Sequence, residues 1–133
     1  MIEFEIEGEP ASKANSRRIV RIGNRMASIK SHKALSYAEA FRLQAPKVEP
    51  LTDPVRITLT IYYASRRPDL DESLILDLLQ GIAYVNDRQV REKHIYWGLD
   101  PDRPRCHIRV EADPELDRPS NRRRAPRDGK GKA

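Results

Sequence analysis

The segment Val55–Tyr63 constrains the fold more than any other stretch of the chain. Apolar residues occupy every second position along its nine residues, and this period of two predicts a β-strand with one buried face. It is the clearest strand pattern in the sequence. The whole chain of 133 residues suits one domain, which would bury roughly two-thirds of its unfolded surface.

Shorter patterns before this strand predict three other elements. Apolar residues alternate with glutamates over residues 2–7, as in a strand, and Gly23-Asn24 predicts a hairpin turn between two short apolar stretches. Ser31 is a candidate N-cap for a helix that ends at Pro46.

A second helix and three more strands are predicted after it. The helix covers about residues 71–80, with Gly81 as its stop signal and Asp77 away from its apolar face. The strands are predicted at residues 82–85, 90–97 and 105–111, the last two joined by a turn at 100–104. Together the elements predict a fold of the α/β (α+β) class: a small mixed sheet of about four to six strands with two main helices.

Basic residues are concentrated near both ends of the chain, whose formal net charge is +5. Residues 11–38 hold seven Lys or Arg and no Asp or Glu. Such a stretch is typical of contact with a phosphate backbone, although a solvated basic loop has the same composition. Residues 113–133 hold too few apolar residues to order themselves, so we predict a folded domain over 1–112 followed by a basic, disordered tail.

The most chemically dense stretch runs from Arg66 to Ser73, with two cations, a proline and three carboxylates. Asp69 and Asp71 are two positions apart, so in an extended backbone both carboxylates leave on the same side. Sixteen residues after Asp71 comes Asp87. We interpret the two acidic points as halves of one Mg²⁺ site, because Mg²⁺ is held by few carboxylates plus water and phosphate oxygens. For an isolated Asp-x-Asp before a helix, N-capping is the commoner role.

Other single residues carry less information. Cys106 alternates with apolar residues, which indicates a buried position rather than a nucleophile. Trp97, near a strand end, is more typical of a core or rim residue than of one that stacks on a base. One cysteine, no apolar leader and no run of 18 apolar residues predict an intracellular soluble protein with no membrane partner.

Two motifs together resemble those of RusA-type Holliday junction resolvases. They are Arg67-Pro-Asp-Leu-Asp71 and, after a helix, Asp77-Leu-Leu-Gln-Gly-Ile-Ala-Tyr-Val-Asn-Asp87-Arg-Gln-Val90. The N-terminal stretch from Gly8 to Arg17 is similar to the opening of that family, so the resemblance covers about residues 1–111. It implies a small RusA-like homodimer that cuts four-way DNA junctions with Mg²⁺, for which Mn²⁺ substitutes, in a bacterial or phage-infected cytoplasm.

The resemblance also assigns site residues. The three catalytic, metal-holding aspartates of the family correspond to Asp69, Asp71 and Asp87. The chain departs from the family at Glu72, where the family has Asn and which becomes a possible fourth ligand, and at Asn86, where the family has Asp. The family also has a lysine on the helix that follows, but residues 72–80 contain none. Candidates for its role are Arg66, Arg67, Lys93 and Lys13.

The working hypothesis is therefore a metal-dependent, structure-selective endodeoxyribonuclease of DNA recombination and repair. The predicted DNA-binding residues are Lys13, Asn15, Arg17, Arg18, Arg21, Arg25, Lys30, Arg66, Arg67 and Lys93. Two alternatives stay open on the sequence. One is a protein that binds branched or single-stranded DNA without cutting it, and the other is a nuclease for other branched DNA.

Overall fold

The computed structural model describes residues 1–12 and 17–119. Within those residues the chain forms six strands and two α-helices, with 3₁₀ turns at Asp87–Gln89 and Pro114–Asp117. In chain order the elements are β1 (Ile2–Glu7), β2 (Arg17–Ile22), β3 (Arg25–Lys30), α1 (His32–Gln44), β4 (Val55–Tyr63), α2 (Ser73–Leu79), β5 (Val90–Leu99) and β6 (Arg105–Ala112). The predicted α+β class with two main helices is confirmed.

The main sheet has four strands in the order β1-β6-β4-β5. Strand β4 runs antiparallel to β6 and parallel to β5, so the sheet is mixed. The loop after β5 crosses the end of β4, where the Asp100 amide donates to the Tyr63 carbonyl at 2.8 Å. Strands β5 and β6 are thus joined by a short turn, yet β4 lies between them.

The core lies on one face of this sheet. Ile57, Leu59 and Ile61 of β4 are fully buried, and their register partners on β6 are buried as well. Helix α1 packs over this face: Phe41 meets Phe4 of β1 edge to face, with ring centroids 6.3 Å apart. The alternation of β4 therefore sorts its side chains as predicted, because one face of the sheet is covered and the other is polar.

Local signals at two turns act as predicted. The Ser31 side chain accepts a hydrogen bond from the Ala34 amide at 3.1 Å and caps α1. Gly23 turns the β2–β3 hairpin with a φ of 62°, a conformation that glycine adopts without steric cost.

The strand predicted at residues 82–85 is wrong. Gly81 reverses the chain with a φ of 84°, and the amides of Ile82 and Ala83 both donate to the Leu79 carbonyl. The segment is a compact turn, and Tyr84 makes only isolated bridges, to Leu51 and Gln80. Ala83 and Tyr84 are nonetheless fully buried, which explains why the apolar run resembled a core strand.

The C-terminal segment is described as far as residue 119. The 3₁₀ turn Pro114–Asp117 lies against β4 and β5, and Asp117 pairs with Arg91 at 3.0 Å. The domain boundary at 112 stays a prediction, and residues 120–133 of the predicted tail lie outside the described residues. Across the described ranges, the search for a helix long and apolar enough to cross a membrane found none.

Candidate active site

The loop that joins β4 to α2 carries Asp69 and Asp71 and is the acidic loop of this structure. The Tyr63 hydroxyl binds it to the sheet. Tyr63 is the last residue of β4 and only 2% exposed. Its hydroxyl donates to the Asp69 carbonyl at 3.0 Å and accepts from the Asp71 amide at 3.2 Å. Burial raises the pKa of Tyr63, so the phenol keeps its proton and remains a donor. The backbone on either side of Leu70 is therefore positioned by one buried side chain.

Asp71 also organises the start of α2. Its Oδ1 atom accepts hydrogen bonds from the Ser73 amide at 3.0 Å and from the Ser73 hydroxyl at 2.8 Å. Glu72 holds the N-cap position without a side-chain capping bond. The helix accordingly begins two residues later than the sequence pattern predicted, because Asp71 bonds to the first turn from outside it.

Gln89 anchors the corner that carries Asp87. Its side-chain oxygen accepts from the amides of Val85 and Asn86 at 2.9 and 2.8 Å. Its side-chain nitrogen donates to the carbonyls of Leu51 and Asp53, both at 2.8 Å. Both ends of this amide are engaged, so Gln89 fixes the corner to the loop before β4.

Asp87 itself is placed by two further contacts. Its amide donates to the Gln80 side-chain oxygen at 3.0 Å, and Asn86 caps the 3₁₀ turn by accepting from the Arg88 amide at 2.9 Å. The positioning roles of Gln80 and Gln89 were missed from the sequence. The pattern Asn86-x-x-Gln89 is a readable capping box and was the available signal for the second of them.

A cavity of about 360 Å³ lies between α2, the turn that carries Asp87 and the start of β5, and this place is the acidic corner of the structure. The carboxylates of Glu72, Asp77 and Asp87 line it together with Lys93 and the buried Tyr84. Lys93 Nζ lies 2.7 Å from a Glu72 oxygen. Burial, and then the negative charges of Asp87 and Asp77, raise the pKa of Tyr84. A larger cavity of about 640 Å³ lies beside the ends of α1 and α2, and Asp77 lines it as well, but Asp69, Asp71 and Asp87 do not.

The cavity brings together part of the predicted site. Asp87, Glu72 and Lys93 line it, and Asp77, predicted to lie away from the apolar face of its helix, lines it too. Asp69 and Asp71 lie on the loop before α2 and do not line it. Between residues 1 and 12 and between 17 and 119, no three His, Cys, Asp or Glu side chains are grouped to hold a metal ion. The three-aspartate metal site stays a prediction.

Five of the predicted DNA-binding residues lie on the β2–β3 hairpin. This two-stranded sheet pairs only within itself in the described structure. It carries Arg17, Arg18, Arg21, Arg25 and Lys30. Arg17 bonds across the hairpin to Ser28, whereas Arg18, Arg21 and Arg25 are exposed. Lys13 and Asn15 lie outside the described residues.

Of the other three predicted DNA contacts, Lys93 lines the cavity and two lie on the acidic loop. Arg66 and Arg67 are both exposed. The Arg66 guanidinium carbon lies 5.6 Å from the centre of the Trp97 ring, in a cation–π contact. Along the loop, the two arginines therefore precede Pro68 and the two aspartates follow it.

The structure is that of a small α+β domain with a cavity lined by Glu72, Asp77, Asp87 and Lys93. Residues 7–111 match the family of RusA endodeoxyribonucleases, which is about four-fifths of the 133-residue chain. The chain therefore belongs to the RusA endodeoxyribonuclease family, and the resemblance seen in the two motifs is confirmed. A comparison with curated proteins found no match.

Removal of the Tyr63 hydroxyl should loosen the acidic loop. We expect Tyr63→Phe to lower the free energy of unfolding by about 1 kcal/mol, because the Asp69 carbonyl and the Asp71 amide each lose a partly buried hydrogen bond. Hydrogen exchange at the Asp71 amide should accelerate more than exchange within β4. Tyr62→Phe, on the opposite face of the same strand, is the matched control and should leave the loop unchanged. Unaltered Asp71 exchange in Tyr63→Phe would contradict the positioning role.

Proposed function

We propose that this protein is a Mg²⁺-dependent, structure-selective endodeoxyribonuclease that resolves four-way DNA junctions by phosphodiester hydrolysis. Membership of an endodeoxyribonuclease family supports the reaction class. The observation that supports the assignment to a site is the cavity that Glu72, Asp77, Asp87 and Lys93 line. Glu72, which lines the cavity, directly follows Asp71 in the chain.

The donor chemistry of this region fits Mg²⁺ or Mn²⁺. All candidate ligands are carboxylate oxygens, which hard divalent cations prefer over the nitrogen and sulfur ligands that suit zinc. One or two protein carboxylates suffice for Mg²⁺ when water and substrate phosphate complete its shell. We propose that Asp69, Asp71 and Asp87 hold the metal, with Glu72 as a further ligand. When bound, the metal supplies Lewis acidity and lowers the pKa of a coordinated water.

Lys93 is the residue we propose for the charge-stabilising role of the family lysine that α2 lacks. Among the described residues it is the one cation that lines the cavity. Its contact with Glu72 holds the ammonium group at the acidic corner, and 48% of its side chain remains exposed to a ligand. A fixed positive charge there would offset the charge that develops on phosphate oxygens during hydrolysis.

The basic hairpin would hold the substrate. Its exposed arginines neutralise phosphates without reading sequence, and a two-stranded ribbon fits the dimensions of a DNA groove. Arg66 and Arg67 would add backbone contacts beside the aspartates. Positive charge is thus available both at the site of chemistry and at a distance from it, which suits a branched substrate with several arms.

Loss of an acidic ligand should remove cleavage. With a synthetic four-way junction in Mg²⁺, we expect Asp71→Asn and Asp87→Asn each to lower the single-turnover rate by about a hundredfold or more, because a neutral amide holds the cation poorly. EDTA should abolish wild-type cleavage. Asp102→Asn, in the turn between β5 and β6, is the matched control and should cut at the wild-type rate.

Equal cutting by wild type and both site variants would remove these aspartates from the mechanism. Binding of the junction without cutting by wild type, with no effect of Mg²⁺ on thermal stability beyond an ionic-strength control, would favour the non-cleaving alternative. Preferential cutting of flaps or forks in the same panel would favour a nuclease for other branched DNA.

The protein should be a homodimer, because a four-way junction has two-fold symmetry and paired incision needs two sites. Size-exclusion chromatography with light scattering should give twice the mass of one chain. The same mass is expected with and without Mg²⁺. A monomer at the concentration of the cleavage assay would contradict symmetric resolution by a dimer.

Neutralising the hairpin should weaken binding to all DNA. We expect Arg18→Gln and Arg21→Gln to raise the dissociation constant for junction and duplex alike, and each to reduce the slope of log K against log salt by about 1. Fluorescence anisotropy at several salt concentrations measures both quantities. Arg42→Gln, an exposed arginine in the last turn of α1, is the matched control. An unchanged slope in the hairpin variants would contradict phosphate contact.

A further inference from the structure

Trp97 is the only tryptophan of the chain, and it is 41% exposed. It lies on β5, the edge strand of the main sheet, opposite the fully buried Ile61 of β4. Its ring therefore lies on the core side of the sheet but at the outer edge, where no further strand of the described sheet covers it. One exposed aromatic alone needs no explanation, but two neighbours of Trp97 give it a chemical context.

The first neighbour is Arg66. Its guanidinium lies over one face of the indole, holds the ring by a cation–π contact and leaves the other face for a ligand. Arg66 belongs to the loop that carries Asp69 and Asp71. The indole is therefore linked by one contact to the candidate active site.

The second neighbour is Lys93. Residues Lys93, Ile95 and Trp97 alternate on the same face of β5, opposite Ile57, Leu59 and Ile61. Four residues of strand span about 13 Å, so Trp97 lies about that far from the lysine of the acidic cavity. Stacked DNA advances about 3.4 Å per nucleotide. A DNA strand that runs along β5 would therefore have a base at Trp97 about four nucleotides from a phosphate in the cavity.

We propose that Trp97, held by Arg66, is a stacking platform for an unpaired base at the branch point of the DNA. This inference rests on the proposed function and deepens it. A base inside an intact duplex offers no free face, because both its faces are stacked on neighbours. An indole at the rim of a sheet meets a base face only where stacking is interrupted. Arg66 and Lys93 flank the platform with positive charge, which complements the phosphates on either side of such a base.

Stacking of this kind is tolerant of sequence, so it selects DNA by structure. Trp97 would then be a specificity-determining residue rather than a catalytic one. The contact favours DNA with an open branch point over intact duplex, while the hairpin arginines bind both.

The test uses the full chain and its single tryptophan. In EDTA, which prevents cleavage, a four-way junction with mobile arms should quench Trp97 emission, and an intact duplex of the same length should not. By anisotropy, Trp97→Ala should bind the junction about tenfold more weakly, the size expected for loss of one stacked base, with duplex binding unchanged. Trp97→Phe should restore part of the affinity. Tyr96→Ala, an exposed aromatic on the opposite face of β5, should bind as wild type.

Two results would overturn the platform. One is an emission unaffected by the junction together with wild-type affinity in Trp97→Ala. The other is an emission that depends on protein concentration and not on DNA, which would mean that a second copy of the chain covers Trp97.

The two proposals fail separately. Mg²⁺-dependent cleavage by wild type without a response of Trp97 would keep the nuclease and remove the platform. Junction-specific quenching without cleavage would keep the platform and remove the nuclease.

Discussion

Burial of one face of β4 is the constraint on which the rest of the structure depends. The strand is bonded on both edges, to β5 and β6, and its apolar face forms the centre of the core. Its last residue, Tyr63, forms hydrogen bonds to two loops that lie at the end of the strand. The Tyr63 carbonyl holds the turn after β5, and its hydroxyl holds the Asp69–Asp71 backbone. The acidic loop thereby inherits the rigidity of the sheet.

The candidate site is held mainly through backbone groups, which leaves Asp69 and Asp87 exposed. Tyr63, Gln80 and Gln89 all bond to main-chain atoms around the aspartates. Asp69 and Asp87 remain at the surface, where water solvates their charges at little cost. Close packing of several carboxylates would raise the energy of the free protein through like-charge repulsion. A loosely gathered acidic corner, with Lys93 as its counter-charge, avoids that repulsion.

Periodicity predicted most of the fold, because it records which face of an element is buried. β4 and α1 follow from it directly, and the hairpin turn follows from the Gly23-Asn24 signal. The turn at residues 82–85 was misread since a short buried apolar run has the same composition in a turn and in a strand. Two features could not be predicted from the sequence. They are the placement of β4 between β5 and β6 and the pairing of Glu72 with Lys93. Both join segments distant in sequence, and neither leaves a local pattern.

The motif residues differ in how much of their role could be inferred. Asp71 bonds to Ser73, the first residue of α2, from the position before the N-cap, and an acidic role in chemistry does not exclude that bond. A carboxylate has two oxygens and about four lone-pair directions, so an aspartate oriented by its helix is a better-positioned ligand than one that rotates freely. The structural and functional interpretations of the Asp-x-Asp motif are therefore compatible. A hydrogen bond that already fixes the carboxylate reduces the loss of conformational entropy that would accompany the binding of a cation.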